Sequence, residues 1–291
     1  MEPVVTVGLD GSPESLAAAR WAADEAGRRR LPLRLLHAWP MLVPEPTRVP
    51  AELDQNYWAR RIVHNAQTEL QARHPGLSVA GSLVADDAEH ALLRAASESE
   101  MTVLGSRGLL PVESYFLGDI SLNVVARAER PVVLVRAGTG EEGQEVPQTS
   151  TREVVVALKL HGSCDDLLEF AFKTAAAHGV TLRAVHGRSL PVQAYAPWGV
   201  NHDVAHEITR DAQKLLSQTL RPWCERFPLV DVADSVALVS PAKAVVRAAD
   251  GAGLLVVGRR QHRPALTPQL GPVVQAAIHH AHCPVAVVPH A

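Results

Sequence analysis

Short apolar runs alternate along the chain with longer segments in which apolar residues recur at a helical period. In the first half, the short runs predict five strands, at residues 4–7, 33–39, 77–84, 101–104 and 131–135. The longer segments predict four helices, at 13–30, 51–73, 89–99 and from about 118 to 128. Strands that alternate with helices pair in parallel, because each helical crossover returns the chain to the same edge of the sheet. The pattern therefore predicts an α/β fold with an open parallel five-stranded sheet and helices on both faces.

The second half of the chain repeats the first. Asp10 aligns with Lys159 and His37 with His186, both 149 positions apart, whereas Gly105 aligns with Gly258 at 153 positions. A constant offset that changes once, by four residues, indicates one insertion between two copies. Residues 138–151 are rich in Gly, Glu and Thr, a composition typical of a linker. We therefore predict two tandem Rossmann-like domains, at 1–137 and 152–291.

The residues expected at a ligand site follow the first and fourth strands. In open parallel sheets, ligands bind beyond the carboxyl ends of the strands, where the strand order reverses. Asp10 and Gly105 both fall there. Ser12 has the side chain of a helix N-cap, and Pro13 suits the first helical position. Ser12 could also act as a nucleophile beside Asp10, but the sequence indicates no partner histidine.

A glycine-containing loop after the fourth strand has the features of an anion site. It reads Gly105-Ser106-Arg107-Gly108, then nine residues, then Gly118-Asp119-Ile120-Ser121. Glycines allow positive φ and close approach to a ligand, and loop amides with a helix N-terminus favour phosphate. Arg107 could add a charge-assisted contact. By spacing alone, a plain loop with turn glycines is an equal alternative.

These motifs resemble those of the universal stress protein family. The resemblance rests on Asp10-Gly11-Ser12 after the first strand, the glycine spacing above and Pro131-Val132-Val133-Leu134-Val135 at the last strand. It covers most of each half of the chain. It implies the adenine-nucleotide-binding type of fold, an ATP site and pairing of the two copies through their last strands as a pseudo-dimer. An unpaired edge strand rich in valine would be an aggregation risk, which agrees with such pairing.

The resemblance also implies which residues of the first copy would meet ATP. Asp10 would contact the adenosine part, main chain near Ala38 the adenine edge, and the Ser121 hydroxyl the phosphates. The full set of expected ligand-binding residues is Gly8, Leu9, Asp10, Ala38, Gly105, Ser106, Arg107, Gly108, Gly118, Asp119, Ile120 and Ser121.

Asp119 departs from the family pattern, which has Ser or Thr there. Aspartate is a good N-cap without any ligand. Beside a phosphate, two like charges about 4 Å apart repel by ~1 kcal/mol in water and ~4 kcal/mol at an effective dielectric constant of 20. A bridging Mg²⁺ would turn the carboxylate into a favourable ligand.

The second copy departs further, and we predict that it does not bind ATP. Lys159 replaces Asp10, Gln261 replaces the second loop glycine and would add bulk near a phosphate, and Pro272 removes an amide after Gly271. The basic stretch from Arg259 to Arg263 is either a solvated loop or a site for a different anion or an acidic partner.

Composition excludes several classes of function. The 291 residues contain 28 basic and 31 acidic side chains, a net charge of −3, so there is no basic surplus for nucleic acid or an anionic membrane. Three cysteines and no signal-like N-terminus favour a reduced, cytoplasmic protein. No apolar run approaches the ~18 residues of a membrane span.

Residues of metal-ligand types cluster near the end of the chain, at His279, His280, His282 and Cys283. Histidines at the C-terminal end of a helix also interact favourably with the helix dipole, which is an alternative explanation.

Three functions remain open from the sequence. The leading hypothesis is an ATP-binding stress-response regulator with an unknown protein partner, as a pseudo-dimer within the chain or a homodimer. A slow ATPase would need nearby acids to converge, from Asp10, Asp86, Asp87 and Asp119. A structural stress protein without nucleotide would follow if Asp119 closes the site.

Overall fold

The structure is a computed structural model that describes residues 3–39, 55–106, 119–137, 152–190, 195–196, 199–200, 202–261 and 270–290. It divides into two compact units, Met1–Gln144 and Glu145–Ala291. No described helix combines the length and the apolar character that crossing a membrane requires.

The first unit contains a parallel sheet with the strand order β3-β2-β1-β4-β5. Its elements are β1 (Val5–Gly8), α1 (Pro13–Arg29), β2 (Leu33–Trp39), α2 (Gln55–Arg73), β3 (Val79–Ala85), α3 (Ala88–Glu98), β4 (Met101–Ser106), α4 (Asp119–Arg127) and β5 (Val132–Arg136). Helix α1 packs with α2 and α3 with α4, so the helices form two layers on the sheet. The predicted fold class is confirmed, and β2 has the predicted bounds.

The second unit has the same design. Its elements are β6 (Val154–Ala157), α5 (Asp165–His178), β7 (Leu182–Gly187), β8 (Tyr195–Ala196), β9 (Gly199–Val200), α6 (His202–Arg226), β10 (Val232–Ala237), α7 (Pro241–Ala248), β11 (Leu254–Arg260), α8 (Pro272–His280) and β12 (Val285–His290). The five long strands are parallel, in the order β10-β7-β6-β11-β12. β8 and β9 form a small antiparallel pair.

The order of the strands reverses at β1 in the first unit and at β6 in the second. From β1 the chain runs outward to β2 and β3, and then crosses to β4 on the other side of β1. The central strands are buried on both faces: Val5, Val7, Met101 and Val103 lie on one face of the sheet, and Thr6 and Thr102 lie on the other, all fully buried. A short run of apolar and β-branched residues is typical of such a strand, which is why the sequence predicts it.

Helix α1 shows how local sequence sets the helix ends. Ser12 caps its start by accepting a hydrogen bond from the Ser15 amide at 3.2 Å, and Pro13 is the first helical residue, as predicted. At the other end, Arg30 has φ 55° and ψ 42°, the left-handed conformation that usually requires glycine. The equivalent residue after α5 is Gly179, with φ 64° and ψ 38°.

This difference between the copies predicts opposite effects of two substitutions. Arg30→Gly should stabilise the first unit by about 1 kcal/mol, and Gly179→Arg should destabilise the second by about the same amount, because a non-glycine residue pays ~1–2 kcal/mol in this conformation. Urea unfolding with circular dichroism measures both. Destabilisation by Arg30→Gly would show that the interactions of the Arg30 side chain contribute more free energy than its strained backbone conformation costs.

Candidate functional site

Eight of the twelve predicted ligand-binding residues line one cavity in the first unit. The cavity has a volume of about 260 Å³ and lies at the carboxyl ends of β1, β2 and β4, where α1 and α4 begin. The eight residues are Gly8, Leu9, Asp10, Ala38, Gly105, Ser106, Ile120 and Ser121. The reversal of strand order thus brings together segments that are far apart in sequence, where such sheets commonly bind ligands.

The other four predicted residues are not seen in the lining. Arg107, Gly108 and Gly118 lie outside the described residues. Helix α4 begins with Asp119, so this residue is part of the first helical turn and not the preceding N-cap that the sequence suggested.

The loop after β1 is held by the side chain of Asp10. Its Oδ1 accepts hydrogen bonds from the Ser12 amide at 2.9 Å and from the Ser12 hydroxyl at 2.5 Å, while the Ser15 hydroxyl accepts from the Asp10 amide at 3.4 Å. Ser12 therefore interacts with a carboxylate and caps α1. No histidine, lysine or arginine is among the described residues that line this cavity.

Gly105 has a packing role that the sequence interpretation did not give it. It lies within β4 without a positive φ, so conformational freedom is not what it supplies. A Cβ at this position would be 2.7 Å from both the Glu14 carbonyl carbon and the Ser15 nitrogen. The start of α1 therefore lies directly against the end of β4, and this close approach forms one wall of the cavity.

Ser106 carries the polar group that most directly suggests a ligand. The residue is only 4% exposed, and its Oγ has no hydrogen-bond partner among the described residues. Buried hydroxyls in folded proteins nearly always have a partner, and leaving one without costs about 1–3 kcal/mol. Because Ser106 lines the cavity, a molecule bound there can supply this partner.

The sequence interpretation missed other residues of the lining. Glu14 in the first turn of α1 is the second acid of the cavity after Asp10, and the apolar wall includes Leu36, Leu92 and Leu104. The sequence could have indicated Glu14, because this residue follows the predicted N-cap Ser12 by two positions and so lies at the same end of the sheet. The three leucines belong to strands and a helix of the hydrophobic core. Apolar residues are expected there in any case, so they do not indicate a ligand site.

Two other candidate acids serve the start of α3. Asp87 is the N-cap of that helix and accepts from the His90 amide at 3.1 Å. Asp86 pairs with His90 at 3.0 Å and with Arg94 at 3.6 Å. Neither Asp86 nor Asp87 lines the cavity, so they do not converge with Asp10 there.

The second unit has a larger cavity in the equivalent place. Its volume is about 860 Å³, and it lies at the ends of β6, β7 and β11 and at the start of α8. Contrary to the expectation from the sequence, Gln261 does not add bulk to this cavity, because its side chain is exposed. Its main-chain N–H donates a hydrogen bond to the His290 carbonyl oxygen at 2.9 Å. Pro272 is the first residue of α8 with Gly271 as its N-cap, and both line the cavity.

A histidine fixes the neighbouring strand ends in the same way in both units. His37 Nδ1 lies 2.7 Å from the Leu9 carbonyl oxygen, and His186 Nδ1 lies 2.9 Å from the Leu158 carbonyl oxygen. A carbonyl only accepts, so Nδ1 is the protonated nitrogen in both rings. This repeated histidine–carbonyl contact links the chain after β1 to β2, and the chain after β6 to β7, next to residues that line each cavity.

The histidines near the C-terminus do not gather into a metal site in the part of the chain that the structure describes. There, no group of three or more His, Cys, Asp or Glu side chains is arranged to hold a metal ion. His279 and His280 form the last turn of α8, where His280 is exposed, and Cys283 is buried beyond it. Their described placement at a helix C-terminus is favourable for the helix dipole.

Comparison with known proteins gives the family. The sequence profile of the universal stress protein family matches residues 3–136 and 150–289. The universal stress protein Rv2005c of Mycobacterium tuberculosis is 32% identical over 294 residues, covering 97% of this chain and 96% of that protein.

A solved structure has the same fold. A universal stress protein from Archaeoglobus fulgidus DSM 4304 superimposes with a TM-score of 0.70 at 15% identity, covering 99% of this chain and 98% of that one. Another, from Archaeoglobus fulgidus in complex with dAMP, covers 46% of this chain and 98% of its own at 21% identity and a TM-score of 0.35. With both halves matched by the family profile, the resemblance predicted from the motifs is confirmed: the chain belongs to the universal stress protein family.

Proposed function

We propose that the first unit binds an adenine nucleotide, ATP, and that the protein is a nucleotide-responsive regulator of the stress response. The observation that carries the proposal is the unpartnered, buried Ser106 hydroxyl in a cavity at the reversal of the strand order. Family membership supports the same ligand class.

The chemistry of the lining suits a nucleoside. Leu9, Leu36, Leu92 and Leu104 provide apolar surface for a flat base, and the hydroxyl of Ser106 is available to a ribose or phosphate oxygen. Pockets that enclose drug-sized ligands usually have volumes of ~300–1,000 Å³. The 260 Å³ lined by described residues is therefore room for part of a nucleotide. Arg107, Gly108 and Gly118, proposed phosphate contacts, belong to the chain outside the described residues.

The acids of the first cavity favour a nucleotide that carries Mg²⁺. Asp10 and Glu14 give the described lining a formal charge of −2, which repels a bare triphosphate. Mg²⁺ is commonly held by one or two carboxylates together with phosphate oxygens. The hard oxygen donors of Asp10, Glu14 and Ser121 fit that preference, and the ion would neutralise phosphate charge beside the acids.

Replacing Ser106 by alanine should have opposite effects on binding and on stability. We expect the affinity for MgATP to fall about two- to tenfold, since a net hydrogen bond contributes about 0.5–1.5 kcal/mol. The ligand-free protein should become slightly more stable, because the substitution removes a buried hydroxyl without a partner. Isothermal titration calorimetry measures the affinity and urea unfolding the stability.

Ser97→Ala is the matched control, because Ser97 is exposed on α3 and its hydroxyl donates to the Arg94 carbonyl away from the cavity. It should change neither affinity nor stability by more than about 0.5 kcal/mol. The absence of binding heat from the wild-type protein at millimolar MgATP would refute the proposal. A phosphate-release assay on the same samples distinguishes a binding protein from a slow ATPase.

We further propose that only the first unit binds ATP, with residues 1–137 and 152–291 as the functional domains. The second unit replaces Asp10 by Lys159, Ser106 by Arg259 and Ser121 by Val274. These replacements remove the polar oxygen atoms that the first unit offers to a nucleoside. ATP occupancy of one unit would then regulate an unknown protein partner, with the two copies acting as a pseudo-dimer.

A further inference from the structure

The second unit contains a ligand-sized cavity that the proposed ATP site does not use. Its volume of about 860 Å³ is within the ~300–1,000 Å³ of typical small-molecule sites. It occupies the same place in the fold as the first cavity: Leu158, Lys159, Val185 and Gly258 in its lining are the repeat equivalents of Leu9, Asp10, Leu36 and Gly105. The duplicated fold has therefore kept a site here while its side chains have changed.

The charge of the two cavities is opposite. Among the described lining residues, the first cavity has two acids and no lysine or arginine, whereas the second has Lys159, Arg188 and Arg260 against the single acid Asp211. The formal charges are therefore −2 and +2. Two changes contribute directly, since Lys159 takes the place of Asp10 and Ser163 that of Glu14.

The three cations of the second cavity are available to a ligand. None of the three, Lys159, Arg188 and Arg260, has a carboxylate partner within 4.0 Å among the described residues. His186 adds a further polar group, because its Nδ1 is used by the Leu158 carbonyl and its Nε2 has no partner among the described residues. Cations that line one cavity without acidic partners within 4.0 Å favour a bound anion.

Apolar side chains form one part of the remaining lining, beside the hydroxyls of Ser163 and Ser189 and the rings of His161 and His290. Leu158, Leu167 and Val245 are buried, and Leu160 and Leu215 extend the apolar wall. Val274 stands where the first cavity has the Ser121 hydroxyl.

From this combination of cations and an apolar wall we infer that the second unit binds an apolar molecule with an anionic head group, such as a phosphate or carboxylate. The head group contacts Lys159, Arg188 and Arg260 at the rim, and the apolar body lies against Leu167, Leu215 and Val245. This inference is independent of ATP binding in the first unit.

A cysteine in the lining allows a local test in the full-length protein. Cys164 lines the cavity, whereas Cys224 lies on α6 outside the lining. Burial raises the pKa of both thiols, and a nearby carboxylate adds to the effect, from Asp165 at Cys164 and from Asp234 at Cys224. Both thiols should therefore react slowly with N-ethylmaleimide, so that their rates can be compared. Peptide mass mapping follows each rate separately at pH 8.5.

The probe is octyl phosphate, kept below the concentration at which it forms micelles. At ten times its Kd it should slow the labelling of Cys164 about tenfold, because only the unoccupied fraction reacts. The rate at Cys224 should not change. Decanoate tests a carboxylate head group, and inorganic phosphate tests the head group without the apolar body and should protect Cys164 much less.

Two variants localise the anionic head group. Lys159→Asp should weaken protection by octyl phosphate on the order of tenfold, because it replaces an attraction by a repulsion at the rim. Lys243→Asp is the matched control, since Lys243 is exposed on α7 and does not line the cavity. It should leave protection unchanged.

Several results would overturn the inference. Equal protection by octanol or octyltrimethylammonium would show that the anionic group is not recognised. Protection by ATP but not by octyl phosphate would assign a nucleotide to the second unit. If neither anionic amphiphile protects Cys164, or if Lys159→Asp and Lys243→Asp weaken the protection equally, the second unit has no such site. None of these results affects ATP binding in the first unit, which the Ser106→Ala titration tests separately.

Discussion

Replacing Glu25 by alanine is expected to lower the free energy of unfolding of the first unit by about 3–5 kcal/mol. Glu25 is fully buried, and its Oε1 accepts a hydrogen bond from Arg29 Nε at 2.5 Å. The Arg29 side chain is only 8% exposed. The substitution would remove a buried carboxylate from beside this largely buried guanidinium.

Hydrogen exchange of the α1 amides in the intact protein measures the effect on this unit alone. Glu69→Ala is the control, because Glu69 pairs with Arg20 at the surface, where the two side chains are 32% and 42% exposed. That variant should cost about 1 kcal/mol or less. Replacing Glu25 and Arg29 together by methionine should restore most of the loss, since apolar side chains then replace both members of the buried ion pair. Equal costs for Glu25→Ala and Glu69→Ala would contradict this account of the buried pair.

The second large effect is expected at Gly105. Gly105→Ala should destabilise the first unit by about 1–3 kcal/mol, the usual cost of added volume in a packed interior, and should abolish nucleotide binding. The new Cβ would lie 2.7 Å from the backbone of Glu14 and Ser15, so the start of α1 and its N-cap loop must move. Urea unfolding and MgATP titration of the same protein measure the two consequences.

Two glycines provide matched controls for Gly105→Ala. Gly27 lies in α1 with no atom within 4 Å of an added Cβ, so Gly27→Ala should stabilise the helix by about 0.5–1 kcal/mol. Gly258, the repeat equivalent of Gly105, would meet the His290 side chain at 2.8 Å. A side chain moves more easily than backbone, so Gly258→Ala should cost less than Gly105→Ala. A Gly105→Ala protein as stable as wild type would show that α1 does not pack against β4 in this way.

The sequence predicts the fold well because its strands are apolar runs between clear helix signals. The Ser12-Pro13 start of α1 and all seven residues of β2 were predicted, since capping chemistry and a buried strand are local patterns. The pattern predicts that the fourth strand ends at residue 104, because Gly105 is typical of a loop, whereas β4 continues to Ser106. Its packing against α1 depends on a contact between distant parts of the chain, which no local pattern reveals.

The candidate sites were predictable to different degrees. Eight residues of the first cavity follow from strand order and family resemblance, because both point to the same strand ends. The sequence does not predict the second cavity, because the lost loop glycine and the bulk of Gln261 indicate that no ATP binds there; it leaves open a site for a different anion at the basic stretch from Arg259 to Arg263. The Gln261 side chain instead points to the surface, and the volume is set by residues on β6, β7, α5 and α8.

The central claim is that one ATP binds per chain, in the first unit. Native mass spectrometry of the full-length protein titrated with MgATP tests it most directly, with Asp10→Ala and the equivalent Lys159→Ala as a matched pair of exposed positions. We expect a single nucleotide adduct that Asp10→Ala weakens at least about tenfold and Lys159→Ala leaves unchanged. Two adducts per chain, no adduct at millimolar MgATP, or one that survives Asp10→Ala but is lost with Lys159→Ala would contradict the claim.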